Sequence, residues 1–133
     1  MDRKFIISFV VMLVMLWFGG YFVHGVLLYN NYAAYPALMR PQESFHTLWP
    51  FMLLARICQA FAFTRIYVKG KEVKPWLPQG IRYGILVALL LTIPVYLIYY
   101  VVMPYAITLT IKQIVFDGAL IVLMGIVVAW INR

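Results

Sequence analysis

Two charged side chains sit where a charge is costly. Arg56 lies inside LWPFMLLARICQAFAF and Asp117 inside IKQIVFDGALIVLMG, both mostly apolar runs. Each is about ten residues in from the same end of its run, so the two are expected at one depth. A lone charge at the centre of a bilayer costs about 2.5–3.5 kcal/mol on insertion scales, so such residues usually pair. The expected arrangement is an Arg56–Asp117 ion pair inside a helical bundle. Gln59 and Gln113 stand one helical turn from Arg56 and Asp117, positioned to complete its hydrogen bonding. Such a cluster is either a proton or ion relay, a ligand site, or a clamp holding two helices together. One acid against one base leaves no free carboxylate to cycle, which favours the clamp. Lys112 lies nearer the end of its run and can snorkel past Thr108 and Tyr105, or pair with Glu43 or a partner chain.

His24 and His46 are the second candidate set, each near the same end of its run. Together they would suit a haem or a metal, and a four-helix bundle is a good haem scaffold. A two-haem bundle needs four axial histidines, and this chain has only two. A lone interfacial histidine is more often hydrogen-bonded to backbone or water. Cys58 is the sole cysteine, which excludes an intrachain disulfide, a cysteine metal cluster and a thiol-disulfide enzyme. No P-loop, His-Glu-x-x-His, Ser-His-Asp set or glycine-rich fingerprint occurs. A small drug exporter would need a carboxylate in its first span, and a glutathione-type membrane enzyme several Arg, Glu and Asn within its helices. Neither pattern is present, so no catalytic residue is assigned.

The elements that carry these residues follow from composition. The chain has 133 residues, 65% hydrophobic and 11% charged, with a mean hydropathy of +0.92. A soluble domain carries about 25% charged residues. A single all-α transmembrane domain is expected over residues 1–133. A crossing helix needs about 20 mostly apolar residues. Four such spans are expected, at about 5–28, 46–67, 81–103 and 107–131. The runs are apolar on all sides, which argues for helices over strands of a barrel. The first exceeds the roughly 7–15 residues of a signal-peptide core and is expected to be retained.

Lysine and arginine set the direction. One side would carry Arg3, Lys4, Arg65, Lys69, Lys71, Lys74, Arg82 and Arg133, the other only Arg40. This asymmetry predicts both termini in the cytoplasm and an up-down-up-down bundle. It also accounts for most of the +7 charge and leaves no folded basic surface for nucleic acid. Close helix contacts are expected at small residues four apart: Gly80, Gly84 and Ala88 in the third span, Gly125 and Ala129 in the fourth. Pro94 is expected to kink the third span, with Thr92 placed to satisfy a freed carbonyl. Trp76 and Trp130 are expected at one interface, and Tyr99, Tyr100 and Tyr105 at the other.

The stretches WFGGYFVHGVLL, IRYGILVALLLTIP and IVFDGALIVLMGIVVAWINR give the chain a recognisable outline. The pattern resembles small four-span bacterial membrane proteins catalogued only as domains of unknown function. The resemblance implies a bacterial inner-membrane setting and carries no activity.

The leading expectation is a non-catalytic membrane subunit or accessory partner of a larger, energy-transducing complex. Its small-residue and aromatic faces would dock other helices or bind lipid, quinone or pigment. A second reading is an oligomeric transporter or channel lined by Arg56, Asp117, Gln59, Gln113 and Lys112. A third is a haem or metal protein using His24 and His46.

Overall fold

The computed structural model describes residues 2–133. It is all-helical, with no strand among the described residues. Four helices are long and apolar enough to cross a membrane: α1 (Arg3–Leu27), α3 (Gln42–Gly70), α4 (Trp76–Val102) and α5 (Ile107–Ile131). A short helix, α2 (Tyr29–Ala33), and a 3-10 turn at Pro36–Leu38 link α1 to α3. The observed α3 and α4 begin earlier than the apolar patterns, because each helix runs on into its polar flank.

Successive long helices are antiparallel, and side chains tie one end of the bundle shut. Lys4 Nζ donates to the Arg133 carbonyl at 2.9 Å, and Asn132 Nδ2 to Ser8 Oγ at 2.7 Å. Lys71 Nζ donates to the Asn132 carbonyl at 3.0 Å. Both termini and the 71–75 loop therefore share one end, called here the terminal end. At the opposite, loop end, the Ala106 N–H donates to Tyr35 Oη at 2.7 Å, and the Tyr35 and Tyr105 rings meet edge to face.

Small residues decide which helices touch most closely. A side chain on Gly125 would place its Cβ 2.4 Å from the Gly80 carbonyl and 2.8 Å from the Gly84 nitrogen. One on Gly84 would lie 2.6 Å from the Val122 Cα. The α4 and α5 backbones thus cross with no side chain between them, as the glycine spacing predicts. Met12, Leu16, Ala60, Phe63, Met124 and Val128 fill the core between α1, α3 and α5. A smaller core of Val23, Leu28 and Leu109 sits under the loop-end tyrosines.

The bends are local. Wide π-helical turns run over Met15–Gly19 and Phe22–Leu27 in α1, and over Ala88–Thr92 just ahead of Pro94 in α4. Such a turn absorbs the hydrogen bond that a proline cannot donate.

α3 leans on α1 and α4 leans on α5, so α3 and α4 meet mainly through Tyr83. Its ring packs against Phe63 and Tyr67, with its hydroxyl donating to the Phe63 carbonyl. No residue of α3 before Ala60 is buried. The outward surface is apolar: only 11% of the most apolar window of α4 is buried. Water is a poor solvent for such a surface, and lipid a good one.

Candidate functional site

Asp117 projects from the middle of α5 toward α1 and α4. Its Oδ2 lies 3.0 Å from His24 Nε2 and accepts a hydrogen bond from the Tyr96 hydroxyl. Tyr96 Oη is also 3.3 Å from His24 Nε2. On the far side of the imidazole, His24 Nδ1 lies 2.7 Å from Tyr32 Oη. Gln113 Nε2 donates to that same hydroxyl at 2.9 Å. Four elements therefore converge: α1 supplies His24, α2 Tyr32, α4 Tyr96, and α5 both Gln113 and Asp117.

The donors assign a direction to this chain. The amide of Gln113 fills an acceptor position of Tyr32, so the Tyr32 proton is free to point at His24 Nδ1. A neutral imidazole that accepts there carries its own proton on Nε2 and donates it to Asp117. Burial raises the Tyr32 phenol above its ordinary pKa, against the opposing pull of its hydrogen bond from Gln113. Tyr32 accordingly keeps its proton and remains a donor at neutral pH. The Gln113 side chain is buried, and its Oε1 has no partner.

Arg56 is near but not joined to this chain. The expected contact ion pair between Arg56 and Asp117 does not form. Asp117 Oδ2 is taken by His24 and Tyr96, while the Arg56 Nη1 donates to Gln59 at 3.1 Å. The physical reason is the lean of α3: its half before Ala60 stands away from α5, and its guanidinium instead lies along α1. The absence of a side chain at Gly20 makes that path available, since a Cβ there would sit 2.8 Å from Arg56 Nη2. Arg56 and Asp117 nonetheless face one cavity of about 250 Å³, with His24, Gln59 and Tyr96 among its walls. Leu16, Leu91 and Ile121 add apolar wall to the same cavity.

The remaining expected site residues divide. Gln59 partners Arg56 as its one-turn spacing suggests. Gln113 reaches Asp117 only through Tyr32 and His24. Lys112 points to a loop-end cleft lined by Asn30, Asn31 and Thr108, the direction snorkelling predicts. It makes no ion pair with Glu43 among the described residues. His46 lies exposed on α3, whereas both ring nitrogens of His24 are already engaged. No group of three His, Cys, Asp or Glu side chains converges among the described residues as a metal site would need. Cys58 is exposed on α3.

Sequence reasoning missed Tyr32, Tyr96 and the His24–Asp117 contact. A usable signal was height measured from the terminal end. His24 is sixteen residues beyond Ser8, and Asp117 fifteen before Asn132, the residue that bonds Ser8. At 1.5 Å per residue these rises are about 24 and 23 Å. Tyr96 starts farther toward the loop end, and its side chain reaches back along α4 toward the helix N-terminus, as helical side chains do.

No family model, curated protein or solved structure matches this chain.

Proposed function

We propose that the protein is a multi-pass integral membrane protein of a bacterial inner membrane, with both termini cytoplasmic, that moves protons or a proton-linked small solute as an oligomer. The observation that carries this reading is the partner of Asp117. A carboxylate paired with arginine is held ionised. Here no arginine contacts the carboxylate: its partners are an imidazole, the side chain best suited to carry a proton near neutral pH, and a tyrosine hydroxyl that donates to it. The chain Tyr32, His24, Asp117 supports a concerted transfer: the imidazole releases its Nε2 proton to the carboxylate as Tyr32 hands its hydroxyl proton to Nδ1, and Tyr32 regains a proton from water, with Gln113 only holding the hydroxyl in place. The cavity shared with Arg56 supplies a fixed positive charge beside that carboxylate and room for a small anionic or zwitterionic solute.

The test is proton flux into liposomes holding the purified protein, under an imposed potential and read with a trapped pH dye. Wild-type flux should exceed that of empty liposomes. Asp117→Asn and His24→Gln should return it to that baseline, while Arg40→Gln leaves it unchanged. Equal flux for wild type and Asp117→Asn would overturn the reading.

A second reading, the accessory subunit of a larger complex, is favoured by a different observation. The half of α3 from Gln42 to Gln59 has no buried residue and presents Phe45, Trp49, Phe51 and Met52 outward. Another subunit laid along this half-helix would close the Arg56 cavity from the side. Native mass spectrometry of gently extracted membranes separates the two. A homo-oligomer supports the transporter, and fixed stoichiometry with foreign subunits supports the complex.

A further inference from the structure

The gap between α3 and α4 is rimmed by charge at one end and apolar behind it. At its terminal end lies a cleft of about 260 Å³ rimmed by Lys71, Lys74 and Arg82. Ile66 and Tyr83 form its deeper wall and continue as the mouth of a second cavity of about 290 Å³. That second cavity is almost wholly apolar, lined by Val87, Leu90 and Leu91 from α4 and by Ala62 and Phe63 from α3. From Arg82 to Leu91 is nine residues, or about 14 Å of helix. That is close to one leaflet, half of a hydrocarbon core of about 30 Å.

The cations at the rim are not equally free. Lys74 is paired with Glu72, whose carboxyl the Lys74 hydrogen bond holds below the usual carboxylate range, so Glu72 stays negative at neutral pH. Lys71 donates to the Asn132 carbonyl. Gln79 is occupied by the loop: it accepts from the Glu72 N–H at 2.6 Å and donates to the Glu72 carbonyl at 3.2 Å. Arg82 uses only its Nε, toward the Pro78 carbonyl at 3.5 Å. Both terminal nitrogens of its guanidinium have no protein partner among the described residues, the geometry that takes a phosphate in bidentate fashion. Counting Glu72 against the three cations, the rim keeps a net positive charge.

We propose that this groove binds one anionic phospholipid, its phosphate on Arg82 with Lys71 and Lys74 beside it, and an acyl chain laid along the apolar slot. The charge at one end and the leaflet-deep apolar wall behind it together specify an amphiphile rather than a free anion. The proposal rests on reading the four helices as membrane spans. It is independent of the proton chemistry at Asp117, so either can fail alone.

The test uses the full-length protein in phosphatidylcholine nanodiscs doped with phosphatidylglycerol, with lipid retention read by native mass spectrometry. Wild type should retain one phosphatidylglycerol in preference to phosphatidylcholine. A basic residue near an anionic headgroup contributes roughly a fivefold preference, so Arg82→Gln should lose about that much. Lys69→Gln removes the same charge outside the cleft and should lose nothing. Leu90→Trp fills the slot, keeps every cation and should also release the lipid. Equal retention of the two lipids overturns the proposal. So does an equal loss in Lys69→Gln, which would mean diffuse surface charge. Displacement of the lipid by inorganic phosphate alone also overturns it, because the site would then recognise the anion and not the amphiphile.

Discussion

His24 Nε2 and Asp117 Oδ2 meet at 3.0 Å across 93 residues of sequence, joining the loop-end part of α1 to the middle of α5. The side chains keep 30% and 17% of their exposure, so each is largely withdrawn from solvent. The partnership replaces the α3–α5 clamp expected from charge alone with a bridge between helices that are already packed. Its energy is best measured as a coupling. Interhelical polar contacts in membrane bundles average about 0.6 kcal/mol and reach about 1.7 kcal/mol. His24→Gln, Asp117→Asn and the double variant, unfolded in mixed detergent micelles, should give a coupling within that range. Strictly additive effects would show that the contact carries no stability.

Tyr32 is the residue that orients the imidazole. With Gln113 occupying its oxygen, its hydroxyl proton points to His24 Nδ1. Tyr32→Phe removes that donor and leaves the ring volume in place. The expected outcome is loss of the single Nε2-protonated tautomer. The measurement is the pair of imidazole ¹⁵N shifts in labelled protein. An unchanged tautomer in Tyr32→Phe would place the orientation with Asp117 and Tyr96 instead.

Gln113 offers a case where removing a polar group should be almost free. Its Nε2 makes one hydrogen bond, but its buried Oε1 makes none. A typical net hydrogen bond is worth about 0.5–1.5 kcal/mol, and leaving a buried acceptor unsatisfied costs about 1–3 kcal/mol. Gln113→Leu loses the first and relieves the second. Its unfolding free energy should stay within about 1 kcal/mol of wild type. Its proton flux should fall, because the Tyr32 hydroxyl is no longer held.

The four long helices were legible because apolar runs of this length have few other uses. The α4–α5 crossing was legible for a similar reason: Gly80, Gly84 and Gly125 stand at the spacing that brings two backbones together. The polar cluster was half legible. Charge singled out Arg56 and Asp117 and gave them one height, yet it could not choose the partner of Asp117. That choice depends on the tilt of α3, which the charge pattern of residues 42–70 does not encode. Tyr32 and Tyr96 were hidden among ten tyrosines in a chain where aromatic residues are expected at membrane interfaces. His24 was expected to bond backbone or water, with a haem or metal as the alternative, because nothing near it in sequence points to a partner 93 residues away.

Two glycines should answer the same substitution with opposite signs. Alanine is favoured over glycine inside a helix by about 1 kcal/mol, so Gly→Ala gains that much wherever there is room. At Gly125 there is none. The new methyl would meet the Gly80 carbonyl at 2.4 Å and the Gly84 nitrogen at 2.8 Å, both backbone atoms of a packed helix. Overpacking of this kind costs about 1–3 kcal/mol, and here it must separate α4 from α5 along their whole crossing. Gly125→Ala should therefore lower the unfolding free energy. At Gly20 the obstacle is Arg56 Nη2 at 2.8 Å, the far end of a flexible side chain. The guanidinium can swing aside, so the helix keeps its gain and Gly20→Ala should be neutral or slightly stabilising. Its cost should fall on the cavity, where Arg56 no longer lies along α1 opposite His24 and Asp117. Unfolding free energies in mixed micelles give the first comparison, and flux in liposomes the second. A destabilised Gly20→Ala with unchanged flux would mean that Arg56 is held rigidly for the fold and has no part in the chemistry of the site.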